Sequence, residues 1–256
     1  MDMLNFHCGV SRDARSVVRL TICNAGSLNI IGSAAILGIQ AGLQSLASDD
    51  SIRALVLAGE SEKSMIGGAD IKEMAKLDQA SAETFIARLA GLCEAVRNFP
   101  VPVIARMPGW CLGGGLEVAA ACDIRVAAHD AKFGMPEVRV GIPSVIHAAL
   151  LPRLIGWGRT RWLLMTAETI DAPTALAWGL VDSVAAEGEL DNAVETVIAS
   201  LLACGPEALR AQKGLLRQWE DLPLKESIEV SIGAFGRSFL TDEPKRLMQH
   251  FIDRKR

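Results

Sequence analysis

The stretch that decides the fold is GWCLGGGLEVAAACDI, residues Gly109–Ile124. The apolar run VPVIARM, residues 101–107, precedes it and predicts a strand. Three consecutive glycines then lead into a helix-forming segment, and Glu117 follows the middle glycine, Gly114, by three residues. Because glycine lets a backbone approach another group closely, the stretch predicts a tight strand–loop–helix junction with an acid in the first helical turn.

A second junction has the same organisation. The strand-like run RALVLAG, residues 53–59, is followed by ESEKSMIGGADIKEM, residues 60–74, in which Gly67 and Gly68 precede Asp70. Asp70 and Glu73 fit a capping box that opens a short helix. Backbone N–H groups at such junctions lack intrahelical partners and favour negative charge. Two facing junctions would hold one oxygen between two amides, as in an oxyanion hole.

Other chemistries fit less well. Either junction alone is also compatible with ordinary turn chemistry. GWCLGGG departs from the G-x-G-x-x-G fingerprint, and the chain has neither a P-loop nor a G-x-S-x-G elbow. The histidines at 7, 129, 147 and 250 lack metal-ligand spacing, so no metal is expected.

Composition limits the class of protein. The chain has 256 residues, half of them hydrophobic, and a net charge of -4 without a long basic run, which argues against a nucleic-acid partner. No apolar run reaches membrane-spanning length, and the N-terminus has no apolar signal core. The six cysteines form no CxxC pair. We therefore expect a cytoplasmic protein without a membrane partner.

Strand and helix signals alternate along the first two-thirds of the chain. Strands are predicted over 16–23, 52–59, 101–107 and 123–128, and helices over 32–47 and 81–99. This alternation predicts an α/β fold with a mainly parallel sheet. From about residue 146 helical propensity dominates, ending in an apolar stripe that includes Leu247 and Phe251. The predicted division is an α/β core, 1–190, and a helical region, 191–256.

A second acid accompanies Glu117. Glu137 lies in AKFGMPEVRVGIP, 20 residues later. Taken singly, Glu117 could be a structural residue favoured by the helix dipole, and Glu137 a surface charge. Together, near two amide donors, they could bracket a substrate and act as general acid and base. Whether the two acids converge is not determined by the sequence.

Three segments jointly resemble one family. SMIGGADIKEM, GWCLGGGLEVAAACDIRVAA and AKFGMPEVRVGI, in this order and spacing, are similar to the crotonase, or enoyl-CoA hydratase/isomerase, superfamily. The resemblance implies a spiral of ββα units whose C-terminal helices build homotrimers, often paired into hexamers. It also implies an acyl-CoA thioester as substrate and no cofactor, because coenzyme A is part of the substrate.

The resemblance assigns roles to four residues. The oxyanion amides fall on Ala69 and Gly114. Glu117 would orient and deprotonate water, and Glu137 would deliver a proton to C2 of a 2-enoyl-CoA. Since both glutamates are retained, the resemblance favours hydration. The implied substrate-binding residues are Ser27, Leu28, Ile66, Gly67, Gly68, Ala69, Asp70, Ile71, Leu112, Gly113, Gly114, Pro136, Glu137 and Val145.

One segment departs from the family pattern. Where hydratases have a turn resembling PGAGGTQRLPRLVG, this chain has PSVIHAALLPRLIG, residues 143–156. This change leaves open an isomerase, or a dehydratase of an unusual hydroxyacyl-CoA. His147 could contact a polar acyl group or be structural. A non-catalytic acyl-CoA-binding subunit is a third reading, against which the two glutamates argue.

The contacts to coenzyme A are also altered. The basic residue that the family has near coenzyme A is missing, and Ser27 stands in its place. Candidate phosphate contacts are Lys63, Lys72 and the basic tail Arg254–Lys255–Arg256 of a neighbouring subunit.

Overall fold

The computed structural model describes residues 1–253, so the candidate phosphate contacts at 254–256 lie outside the described residues. Its largest layer is a seven-stranded sheet. With strands numbered in chain order, the spatial order is β1 (Asp2–Asn5), β2 (Cys8–Arg12), β3 (Val17–Ile22), β5 (Ala54–Gly59), β8 (Val103–Met107), β10 (Ile124–Ala128) and β13 (Ser183–Ala185). The five strands from β3 onward are parallel, and β1 and β2 add an antiparallel edge. The four strands expected from the sequence are β3, β5, β8 and β10.

The central strands are covered on both faces. Every residue of β5 and β8 is buried, which is why their sequences are continuous apolar runs without alternation. The fold class expected from the sequence is therefore confirmed: a mixed α/β body with parallel central strands.

Short strands form two further sheets. The first has the order β12 (Ile170–Asp171), β11 (Lys132–Gly134), β9 (Trp110–Leu112) and β6 (Ser64–Ile66), and the second pairs β4 (Ile30–Ile31) with β7 (Gly68–Ala69). Each of β5, β8 and β10 is followed in the chain by a strand of the first small sheet and then by helical structure. This repetition produces the ββα spiral that the resemblance implied.

Ten α-helices complete the described chain, 1–253. They are α1 (Ser33–Ala47), α2 (Ile71–Met74), α3 (Gln79–Arg97), α4 (Gly114–Ala121), α5 (Leu151–Thr166), α6 (Ala172–Trp178), α7 (Leu190–Leu202), α8 (Pro206–Asp221), α9 (Leu224–Ser238) and α10 (Glu243–Asp253). Two 3₁₀ helices, Glu137–Val140 and Ile146–Leu150, precede α5. α5 is broken at Gly156, whose φ is +77°. Among residues 1–253 no helix is both long and apolar enough to cross a membrane.

The helices cover the main sheet from two sides. α1, α3 and α4 contribute to the larger core cluster, which includes Ile36, Leu89 and Leu116. α7 packs on the other face, where Val194 and Ile198 contact the smaller cluster. α7 thus packs onto the sheet although it lies beyond the boundary predicted at residue 190, and the division into 1–190 and 191–256 stays a prediction.

Helices α8–α10 expose much apolar surface. Ile232 and Phe235 on α9 are 70% and 68% exposed, and Met248 on α10 is 53% exposed. α8 is nevertheless anchored to the body by the buried Lys213, whose Nζ donates to Asp123 Oδ2 at 2.6 Å and to the Val101 carbonyl at 3.0 Å. α8, the first of these three helices, is therefore attached to the main sheet.

The capping box predicted at α2 is only half present. Asp70 accepts hydrogen bonds from the N–H groups of Lys72 and Glu73, as expected. Glu73 does not reach back to the Asp70 N–H, because that N–H donates to the Ile31 carbonyl in the ladder between β4 and β7. The Glu73 carboxylate instead accepts from the backbone and hydroxyl of Ser33, at the start of α1.

Candidate active site

A cavity of about 430 Å³ lies between α2, α3, the start of α4, the 3₁₀ helix Glu137–Val140 and the residues that follow this helix up to Val145. The four residues predicted as catalytic, Ala69, Gly114, Glu117 and Glu137, all line it. Two residues predicted to bind substrate, Ile71 and Val145, line it as well. The structure thus brings together the two glycine-rich junctions and the two acids whose convergence the sequence leaves open.

Other predicted binding residues lie around the cavity without lining it. Ser27 and Leu28 are exposed on the loop between β3 and β4. Four others are next in the chain to a lining residue: Gly68, Asp70, Gly113 and Pro136. The remaining three, Ile66, Gly67 and Leu112, lie two or three positions from one. Their part in binding stays a prediction.

Sequence reasoning missed most of the apolar wall. The additional lining residues are Met74, Ala75, Leu77, Ala82, Glu83, Phe85, Ile86, Leu89, Val140, Ile142 and Pro143. Ala82, Phe85, Ile86 and Leu89 follow the i, i+3, i+4, i+7 spacing of one helical face. That periodicity was visible in the sequence, but a face of this kind usually packs into a core, and nothing in the pattern distinguishes a cavity wall from a core.

Close backbone packing joins the two junctions. A Cβ atom on Gly115 would overlap the backbone oxygen of Ile66, and one on Gly114 would lie 2.7 Å from Leu89 Cδ2. Glycine is therefore required for α4 to begin against the end of β6. This packing fixes the first turn of α4 beside β7, which contains Ala69.

The amides of Ala69 and Gly114 are suited to bind an oxygen. The Asp70 N–H donates to the Ile31 carbonyl at 3.0 Å. Because successive N–H groups of a strand point to opposite sides, the Ala69 N–H points away from β4. Gly114 is the first residue of α4, where N–H groups lack intrahelical partners and the helix dipole favours negative charge.

Glu117 is buried and accepts one backbone hydrogen bond. The residue is only 3% exposed, and the Ala148 N–H donates a hydrogen bond to Oε1 at 2.9 Å. Burial raises the pKa of Glu117 from 4.5 to about 8; the hydrogen bond from Ala148 opposes the shift, and the charge of Glu137 adds to it. The carboxyl is therefore mostly neutral at pH 7, whereas the role implied by the resemblance, deprotonating water, needs an ionised carboxylate.

Glu137 is held differently. It begins the 3₁₀ helix Glu137–Val140 and is partly buried. The Ser144 hydroxyl donates to Oε2 at 2.8 Å. The other oxygen, Oε1, lies against Gly113, where a Cβ atom would overlap it. Gly113 also has a φ of +52°, a region that other residues rarely adopt, so glycine is needed there for two reasons.

His147 faces away from the cavity. It is 8% exposed, and its Nε2 lies 2.8 Å from Glu94 Oε1. A carboxylate only accepts hydrogen bonds, so Nε2 bears the proton. Nδ1 is buried and has no hydrogen-bond partner within residues 1–253. The contact with Glu94 supports the structural reading of His147 over contact with an acyl group.

No metal site is evident in the part of the chain that the structure describes: no three His, Cys, Asp or Glu side chains among residues 1–253 are grouped to hold an ion. That the site works without a metal or a redox cofactor remains an expectation.

Known proteins resemble the chain over nearly its whole length. A sequence model of the enoyl-CoA hydratase/isomerase family matches residues 12–256. A crotonyl-CoA hydratase of Syntrophomonas wolfei is 33% identical over 231 residues, which are 90% of this chain and 89% of that protein. A short-chain-enoyl-CoA hydratase of Clostridium acetobutylicum is 32% identical over 94% of this chain and 92% of its own. The crystal structure of an enoyl-CoA hydratase of Mycobacterium smegmatis superposes with a TM-score of 0.93 at 27% identity, covering 97% and 96% of the two chains.

Replacing Glu117 by glutamine is expected to stabilise the empty protein at neutral pH. Between pH 4.5 and about 8 the folded state keeps a proton that the unfolded state releases, so the free energy of unfolding falls as pH rises. The Glu117→Gln variant avoids this loss, which is on the order of 3 kcal/mol at pH 7, and its amide oxygen can still accept from Ala148.

Melting temperatures of Glu117→Gln and of the unmodified protein, compared at pH 5 and pH 8, test this expectation. The difference should grow with pH. The exposed Glu187→Gln serves as the control and should show no such growth. An equal difference at both pH values would show that the carboxyl of Glu117 titrates normally in the folded protein.

Proposed function

The chain belongs to the enoyl-CoA hydratase/isomerase family, and we propose that it adds water to the C2–C3 double bond of a 2-enoyl-CoA, giving a 3-hydroxyacyl-CoA. The observation that supports this most directly is the convergence of Glu117, Glu137 and two amides at one apolar cavity. Hydration needs both an acid and a base, and both carboxyls are present. Isomerisation or dehydration of an unusual hydroxyacyl-CoA is not favoured by the relatives, and a non-catalytic subunit would not need two carboxyls in place.

The two amides polarise the thioester in this proposal. The N–H groups of Ala69 and Gly114 would hold the thioester oxygen, which becomes more negative as the substrate takes on enolate character. Donors placed at such an oxygen are typically worth about 3–4 kcal/mol each in the barrier. The addition of water to a double bond is not a net oxidation or reduction, and we propose neither a metal nor a redox cofactor.

The two acids have different environments. Burial raises the pKa of Glu117 to about 8, which favours a neutral carboxyl at the start of the reaction, whereas Glu137 is partly exposed and accepts a hydrogen bond from the Ser144 hydroxyl. Glu137 would take a proton from water as the water oxygen bonds C3, and the C2–C3 π electrons move toward the thioester. Glu117 would then protonate C2. This assignment reverses the roles implied by the resemblance. The proton returns from Glu137 to Glu117 before the next turnover.

The cavity wall indicates the kind of acyl chain. Leu89 lies beside Gly114, and the lining face of α3 extends from there to Ala82, a rise of about 10 Å over seven residues. Since an extended chain advances about 1.2 Å per single bond, this length suits about eight carbons. Among the described residues, those that line the cavity include Glu83 but no Lys, Arg or His. We propose uncharged acyl chains up to medium length.

A cytoplasmic homotrimer, or a hexamer of two trimers, is part of the proposal. The exposed apolar faces of α9 and α10, with Ile232 and Phe235 among their residues, support burial against other copies. Lys63 and Lys72 are both exposed; Lys72 follows the lining residue Ile71, which supports it as a contact for coenzyme A phosphates. All six cysteines are free, which supports a reducing compartment. A monomeric mass by light scattering at micromolar concentration would contradict the assembly.

The central test is the loss of enoyl-thioester absorbance when purified protein is mixed with crotonyl-CoA, with 3-hydroxybutyryl-CoA identified as product. Glu117→Gln and Glu137→Gln should each lower kcat by about 10²–10⁴-fold while leaving affinity for the saturated ester butyryl-CoA nearly unchanged. If no enoyl-CoA tested is hydrated by the unmodified protein, the proposed function is wrong. Near-normal turnover in either variant would refute the assignment of that glutamate.

The pH dependence distinguishes the two assignments of acid and base. With Glu117 as the acid, kcat/KM for crotonyl-CoA should fall above about pH 8, where the neutral carboxyl is lost. With Glu117 as the base, kcat/KM should rise through the same range. Initial rates from pH 6 to 9.5 decide between these outcomes, after subtraction of the non-enzymatic loss of thioester at each pH.

The acyl cavity predicts a chain-length profile. kcat/KM should rise from crotonyl-CoA to chains of about eight carbons, by at most about fourfold per methylene, since a buried CH₂ is worth about 0.8 kcal/mol. A 2-enoyl-CoA with a terminal carboxylate should react at least tenfold more slowly than its uncharged analogue. The matched variant Ala82→Phe, which fills the far end of the cavity, should remove the gain for eight carbons and leave crotonyl-CoA unaffected. A flat profile in the unmodified protein would contradict this reading.

A further inference from the structure

We propose that Ser144 is a positioning residue, which orients the Glu137 carboxylate for its part in the reaction; this inference rests on the proposed function of the site. The Ser144 hydroxyl donates to Glu137 Oε2 at 2.8 Å. Where the family turn that the sequence resembles has a glycine, this chain has Ser144. The hydrogen bond is therefore a property of this chain's own segment, 143–150.

The hydroxyl holds one oxygen of the carboxylate and leaves the other without a bond to Ser144. Oε2 is occupied by the hydrogen bond from Ser144. Oε1 lies against Gly113, the residue that immediately precedes the proposed oxyanion amide of Gly114. A glutamate side chain otherwise has several rotamers of similar energy. With Oε2 held by Ser144, Oε1 is the oxygen left to take part in the reaction.

Ser144 acts through Glu137 and not through substrate contact. Its chain neighbours Pro143 and Val145 line the cavity, whereas the Ser144 hydroxyl is directed to Glu137. The same segment also supplies the Ala148 N–H that holds Glu117 Oε1 at 2.9 Å. One short segment therefore positions both carboxyls, one through a side chain and one through the backbone.

The segment is itself fixed in place. Between Ser144 and Ala148, the His147 side chain is anchored by its hydrogen bond to Glu94 on α3. Ile146 adopts a φ of +40°, a conformation that a β-branched residue accepts only where surrounding contacts impose it. The Ser144 hydroxyl is thus presented from a defined backbone and not from a freely moving loop.

The test compares Ser144→Ala, which removes the hydroxyl, with Ser144→Thr, which keeps one. With crotonyl-CoA, Ser144→Ala should lower kcat by about 10- to 100-fold, the usual effect of misplacing a reacting group, with KM changed less than twofold. Ser144→Thr should recover kcat to within about threefold of the unmodified protein. Ser200→Ala, which removes an exposed hydroxyl on α7 that donates to the Thr196 carbonyl, is the control and should leave both parameters unchanged.

A double-mutant cycle separates positioning from a general loss of structure. In the Glu137→Gln background, Ser144→Ala should cause no further loss of kcat, because the hydroxyl acts through the carboxylate. A further loss equal to that in the unmodified background would overturn the proposal, as would unchanged kcat in Ser144→Ala alone. Should Ser144→Ala fail to fold, Ser144→Gly removes the same hydroxyl and is judged by the same criteria. Failure of the unmodified protein to hydrate any enoyl-CoA would instead overturn the proposed function.

Discussion

The site depends on one close approach between two backbones. α4 can begin against the end of β6 only because Gly115 leaves room for the Ile66 carbonyl. This contact connects two consecutive ββα units, and it places the first N–H of α4 near β7 and Ala69. The two amides are backbone groups. Their relative position is therefore set by how closely the two backbones pack. The packing constraint and the proposed oxyanion site are therefore the same feature of the fold.

Different surroundings give chemically similar residues different properties. Glu117 is buried in the cavity wall and meets a single backbone N–H, so burial dominates and raises its pKa. Glu137 begins a partly exposed 3₁₀ turn and meets the hydroxyl of Ser144. Two carboxyls near one substrate can act as acid and base only if their environments separate their proton affinities. The elements that carry them, a buried helix and a surface turn, give the two carboxyls different surroundings.

The sequence was sufficient for four strands of the main sheet, β3, β5, β8 and β10, and for the two glycine-rich junctions, whereas it left open whether the two acids converge on them. Strands β5 and β8 were predictable because both faces are buried and the apolar runs are continuous. The capping box at Asp70 was half wrong because the Asp70 N–H is used in a ladder with β4, a pairing between distant segments that local spacing does not reveal. The cavity wall on α3 was missed for a related reason: an apolar helical face looks the same whether it meets a core or an empty space. The protonation of Glu117 could not be assigned either, since it depends on burial.

The unusual segment 143–150 is better explained by support of the acids than by contact with the acyl chain. The His147 imidazole forms a hydrogen bond with Glu94. The Ala148 N–H donates to Glu117, and the Ser144 hydroxyl donates to Glu137. Opposite Ser144 and His147 the family turn has glycine, which supplies only backbone groups, whereas this segment places a polar side chain at each of these two positions. The polar groups of this segment therefore hold the two carboxyls, and of residues 143–150 only Pro143 and Val145 line the cavity. In the proposed reaction, substrate selection would then fall mainly to the face of α3.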